Sequence, residues 1–202
     1  MERGKLAGAL RDSGLNERLQ DILEAAATLF AERGYSATSV RDIGERVGML
    51  GGSLYHHIKS KDALFVRIHD IALQIAEDRI RVAIAPISDP WARLEAACLT
   101  MMDIQLDPNS LTMPLMNDFS SVPAEIRERL VEKRDAFEQL FRDLVAALPL
   151  DPALDRGVYR LLLLTLLNSV SSWYRPGRLS REELGRQIVL LFRHEMGSAD
   201  LR

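Results

Sequence analysis

An internal disulfide and a cysteine-based zinc site are excluded at the outset, because the 202 residues hold a single cysteine, Cys98. No apolar run approaches the ~20 residues of a membrane-spanning helix. The longest, residues 161–167, is interrupted by Thr165, and the opening stretch MERGKLAGALRDSG has no apolar stretch of the kind an export signal needs. A cytoplasmic protein is therefore expected, with no membrane partner. Charge of one sign is missing too: 26 basic against 29 acidic residues leave a net −3, which rules out a uniformly basic coat for nucleic acid or a polybasic lipid anchor. What the chain does have is 47% apolar and 27% charged residues, enough to bury a core in one or two domains.

No sustained alternation of β-branched and aromatic residues occurs, so the fold class expected is all-α. Leu19, Ile22, Leu23, Ala26 and Phe30 recur at three and four residues and form one apolar stripe, predicting a helix over 17–33 that Gly34 ends. Thr38 or Ser39 can cap a short helix through residue 46, stopped by Gly48. A third short helix is expected over 53–58 and a long one over 60–85, with Leu64, Ile68, Ile71, Ile75 and Val82 as its inward row. Pro and Gly then punctuate five more segments, 91–106, 110–119, 124–148, 153–174 and 181–196. Residues 1–15 are expected to be a flexible arm, 16–62 a small first domain and 63–202 a larger second one.

The richest stretch is residues 38–65, TSVRDIGERVGMLGGSLYHHIKSKDALF. Two short helices flank a Gly-containing turn, the helix-turn-helix arrangement that presents its second helix to the major groove of DNA. Between residues 36 and 61 four Lys and Arg stand against two acids, a local excess of +2 in an acidic chain. Ser53, Tyr55, His56, Lys59 and Lys61 are polar, aromatic or basic groups suited to phosphates, and Lys61 stands at the start of the next helix. Tyr55 also suits packing between helices, and the two uses are compatible. His56 and His57 are adjacent, so they project about 100° apart rather than as the i, i+4 pair that grips zinc, and no metal is expected. Walker, G-x-G-x-x-G, H-E-x-x-H and G-x-S-x-G patterns are absent, so neither an enzyme nor a bound cofactor is expected.

With the preceding ILEAAATLFAERGYSATSV, this stretch resembles the DNA-binding domain of the TetR family of transcriptional regulators. GMLGGSLYHHIKSKD followed by SSWYRPGRLSREELGRQ is similar to the branch of repressors of steroid-ring and fatty-acid catabolism that respond to acyl-CoA thioesters. The resemblance implies a ligand-responsive, homodimeric repressor on a palindromic double-stranded operator, with a DNA-facing set of Thr38, Ser39, Arg41, Leu50, Gly51, Ser53, Tyr55, His56, Lys59 and Lys61. Leu50 and Gly51 depart from the family pattern, which carries a small hydroxyl residue and then Lys there, and Gly44 stands in place of the usual Ala. A helical lipid-binding or scaffold protein without a DNA role is the alternative, but it leaves residues 38–61 unexplained.

Soft apolar residues mark the larger domain. Cys98, Met101, Met102, Met113, Met116 and Phe119, with Phe137 and Phe141, are either plain core or the adaptable lining of a cavity for a bulky apolar small-molecule effector. Asn117, His69 and Asn168 are the candidate polar anchors. Trp173 and Arg175 are suited to stacking an adenine and meeting a phosphate of coenzyme A, or to closing the helix end and capping its carbonyls. The eighth and ninth predicted helices, 153–174 and 181–196, are apolar around much of their circumference, and the resemblance implies that they pair with their twofold mates. Leu163 and Ile188 are expected among their outward positions.

Overall fold

The computed structural model describes residues 16–107 and 122–193, and every regular element among the described residues is a helix. Most of these helices begin where a side chain can satisfy free N–H groups. The Asn16 side chain accepts from Arg18 N at the start of α1 (Glu17–Arg33), whose expected stripe lies inward with Ile22, Ala26 and Phe30 almost fully buried. Gly34 closes the helix at φ +82°, a backbone region open to glycine. Ser39, not Thr38, caps α2 (Val40–Arg46) in a reciprocal box with Asp42. Gly48, at φ +69°, turns the chain into α3 (Gly51–Leu54). This third helix starts two residues earlier than expected and gives way to a turn over 55–57. The long α4 (Lys61–Ile84) follows, then α5 (Pro90–Gln105), α6 (Ala124–Ala146), α7 (Arg156–Trp173) and α8 (Arg181–Phe192).

The described residues divide into two compact units, 16–75 with 122–135, and 76–107 with 136–193. Compactness therefore breaks within α4 rather than at the expected residue 62. The reason is packing: Leu64, Phe65, Val66 and Ile68 of α4 belong to the same core as Ile22, Phe30, Ile43 and Leu54. Val122, Ile126 and Leu130 join that core from the start of α6. Phe65 sets its ring edge against Phe30 and Tyr35, with centroids 5.1 and 4.9 Å away.

In the second unit α5 packs against both α7 and α8. Asp89, Asp155 and Ser180 cap the three helices in turn. Helix α8 comes so near to α5 that a Cβ on Gly185 would overlap the Leu99 side chain and sit 3.1 Å from Met102 Sδ. Cys98, Met101 and Met102 fill the centre of this unit with Leu163, Leu167 and Ile188.

Three expected faces are corrected. Leu163 and Ile188 are 0% and 3% exposed and point into the core, whereas Leu161, Leu162, Leu190 and Leu191 are 57–74% exposed. The Leu-rich run 161–167 carries almost no polar marker of phase, so periodicity could not say which leucines face inward. Val82, placed in the inward row of α4, is 75% exposed, and Ile80 and Ile84 are buried in its stead. The expected arm 1–15 and helix 110–119, with Met113, Met116, Asn117 and Phe119, lie outside the described residues, as does the end of the last expected helix beyond 193.

Candidate nucleic-acid interface

The reading face is built by α2, α3 and the turn that leads into α4. Ser39 is exposed, and its hydroxyl and backbone N–H meet Asp42 Oδ2 at 2.5 and 2.7 Å, which holds the Asp42 carboxyl below its ordinary range. Arg41 lies in the open and pairs with Glu45 one turn on at 2.8 Å. An exposed pair of this kind contributes little to stability and leaves the guanidinium available to a stronger anion. Ser53, Tyr55, His56 and Lys59 are all exposed, on α3 or the turn after it. Leu50 precedes α3 as its cap, with no side-chain hydrogen bond, and Gly51 is the first helical residue.

Two members of the expected DNA-facing set are turned inward. Thr38 is 1% exposed, and its hydroxyl donates to Gly34 O at 2.9 Å, so its side chain belongs to the core. Lys61 donates to Tyr35 O and Thr38 O at 3.0 and 3.1 Å, and its ammonium lies 4.0 Å from the centre of the Tyr35 ring. The Tyr35 hydroxyl in turn bonds the Asp62 carboxylate, and burial, reinforced by that carboxylate, raises its pKa. Lys61 thus braces the α1–α2 loop against α4.

Sequence reasoning named His57 beside His56 but did not single out Arg67. His57 and Arg67 join Lys59 on the rim of a surface hollow of about 180 Å³, floored by Leu19, Ile58 and Leu64. Arg67 lies one helical turn beyond Ala63, which also lines the hollow; nothing in the sequence marks Ala63 as part of a site, so the spacing pointed nowhere beforehand.

The description "Bacterial regulatory proteins, tetR family" matches residues 22–68, the unit just built, and "Tetracyclin repressor-like, C-terminal domain" matches residues 88–196. The chain belongs to the TetR family. It is similar to the HTH-type transcriptional repressor KstR2 of Mycolicibacterium smegmatis, 31% identical over 86% of this chain and 88% of that protein. KstR2 of Rhodococcus jostii is 32% identical over 82% and 83%. A solved structure titled as the ketosteroid transcriptional regulator KstR2 of Mycobacterium tuberculosis covers 88% of this chain and 94% of its own, at 26% identity and a TM-score of 0.67. This TetR-family protein is accordingly a DNA-binding transcriptional regulator, not an enzyme, and among its described residues no helix is long and apolar enough to cross a membrane.

The residues expected to bind an effector do not all gather in one place. Cys98, Met101, Met102, Phe137 and Phe141 are at most 4% exposed and belong to the second unit, with the Cys98 thiol pushed up by burial and so kept neutral. Asn168 accepts from Gln105 Nε2 at 3.0 Å, a polar pair in that unit whose Gln105 half the sequence did not single out. His69 belongs to the first unit, 2% exposed, with its ring 4.7 Å from Phe65 and its Nδ1 3.3 Å from Phe65 O; it is a packed core histidine there. Trp173 donates to Ser169 Oγ at 3.1 Å. Arg175 donates to Tyr174 O at 2.8 Å and Ser172 O at 3.5 Å, so of its two expected uses the structure displays the capping one.

Proposed function

We propose that this TetR-family regulator is a homodimeric repressor joined through α7 and α8, the eighth and ninth helices expected from sequence, and released from a palindromic operator by a bulky apolar effector. The observation that carries the dimer is the outward face of these two helices. Val158, Leu161 and Leu162 on α7 and Leu190 and Leu191 on α8 are 55–74% exposed, while the core of the same unit is closed beneath them. Apolar side chains concentrated on two neighbouring helices mark an association surface. A twofold partner would cover it with the same face.

Two heads held by such a dimer read half-sites about one helical turn apart, or a simple multiple of it. Ser53, Tyr55, His56 and Lys59 supply the contacts to base edges and phosphates, with Arg41, His57 and Arg67 at the periphery. The effector is assigned to the Met- and Phe-rich core of the second unit, because Met side chains repack at low cost and the Gln105–Asn168 pair offers polar groups to a ligand that displaces it. The kinship with KstR2, titled a ketosteroid transcriptional regulator, supports a ring-containing ligand, and the sequence resemblance to acyl-CoA-responsive repressors supports its being carried as a coenzyme A thioester. Release follows from population shift: a hundredfold loss of operator affinity requires about 2.7 kcal/mol of coupling between effector and DNA.

Sedimentation of the wild type and of a Leu161→Glu, Leu191→Glu variant tests the reading. The wild type should run as a dimer at micromolar concentration and the variant as a folded monomer that has lost high-affinity operator binding. A monomeric wild type, or a dimeric variant, contradicts the assigned interface.

A further inference from the structure

Leu50 is 83% exposed, and in the first unit Leu50 and Tyr55 are the large apolar or aromatic side chains left open to solvent among the described residues. Both flank α3: Leu50 is its N-terminal cap and Tyr55 its C-terminal one. The exposed apolar surface of this unit is therefore gathered on the one short helix that faces DNA. Leu50 sits in extended backbone, at φ −66° and ψ 142°; its carbonyl accepts from Ser53 N and Leu54 N at 2.9 and 3.3 Å, but its side chain makes no capping hydrogen bond. The side chain, unlike the backbone, accordingly lies open to solvent in the free head.

The residues that open a recognition helix are those that reach base edges. A leucine there has no donor or acceptor with which to read a phosphate oxygen or a purine N7. The one apolar feature of the major groove is the C5-methyl group of thymine. We propose that Leu50 reads the C5-methyl of one thymine in each operator half-site and so sets base preference at that position. This inference rests on the DNA-binding reading above.

Deoxyuridine differs from thymidine by that methyl alone, so it isolates the contact. The operator is first selected from random duplexes with the full-length protein, and each thymine is then replaced in turn, symmetrically in both half-sites. Binding is measured for the wild type, Leu50→Ala and Leu50→Met. At one position deoxyuridine should weaken wild-type binding three- to tenfold and leave Leu50→Ala unaffected, while Leu50→Met, which retains an apolar reach, stays sensitive. Melting of the three free proteins should coincide, because the side chain is exposed. Equal sensitivity of wild type and Leu50→Ala at every thymine, or no sensitive thymine at all, overturns the assignment while leaving DNA binding intact. A wild type that selects no duplex overturns both readings together.

Discussion

Lys61 spends its charge inside the chain, and that changes what its loss should do. With two carbonyls and the Tyr35 ring around the ammonium, Lys61→Ala should loosen the α1–α2 loop, lower the melting temperature and weaken all DNA sequences alike through a poorly held head. A lysine that neutralises one phosphate instead carries about one unit of the slope of log affinity against log salt. Salt titrations should therefore give parallel lines for wild type and variant; a slope reduced by about one unit would return Lys61 to the phosphate contacts. Thr38 belongs to the same layer, its hydroxyl buried under Gly34 O. Neither role was legible beforehand, because both depend on carbonyls of a loop 23 to 26 residues away or on the way α1 ends, and residue type at a position says only that a cation or a hydroxyl is present.

Helix α3 is held by little of its own: four residues, a leucine cap without a side-chain hydrogen bond and glycine at both of its first two positions. Glycine costs a helix about 0.5–1 kcal/mol relative to alanine, and the space beside Gly52 is open. Gly52→Ala should therefore raise the melting temperature by a few degrees; an unchanged or lower value would show that α3 is set wholly by its packing through Leu54. The converse holds at Gly185, where alanine must push Leu99 aside and should cost about 1 kcal/mol or more by overpacking. Thermal melting that leaves Gly185→Ala equal to the wild type would mean that α5 and α8 yield without cost.

Capping boxes give a pH dependence as well. Asp42 is held below its ordinary range mainly by the Ser39 hydroxyl, then its backbone N–H; Glu183 mainly by the Ser180 N–H, then its hydroxyl. Lowered carboxyl pKa values contribute stability that is present above the ordinary carboxylate range and lost as pH falls through the depressed values. Acid unfolding should accordingly begin at higher pH in Ser180→Ala, and coincident acid transitions would contradict the box. At this level the sequence was informative where a cap or a stop residue bounds a stripe, as with Ser39, Gly34 and Gly48. It was silent where leucines follow one another, and so the inward and outward faces of α7 emerged only from packing against α5.

At the scale of the whole molecule, α4 and α6 are the helices that continue from one compact unit into the other, so a change in the packed core of the second unit has two covalent routes to the head. The apolar candidate effector residues Cys98, Met101, Met102, Phe137 and Phe141 are tightly buried, with Cys98 and Phe141 at 0% exposure, and a ligand of ring or acyl size must displace side chains to enter there. Displacement couples binding to rearrangement, which is what a regulator needs, since a ligand that fits both states equally shifts nothing. Bulky acyl-CoA thioesters should therefore raise the melting temperature of the free protein and release operator DNA, while the matching free acids do neither. Replacing Met101 by the larger Phe should blunt the response without altering operator affinity in the absence of ligand, because it fills the space the ligand needs. Equal responses to thioester and free acid would remove coenzyme A from the proposal. No response to either, with another apolar molecule active, would remove the acyl ligand, and release unaffected by Met101→Phe would move the effector away from the core of the second unit.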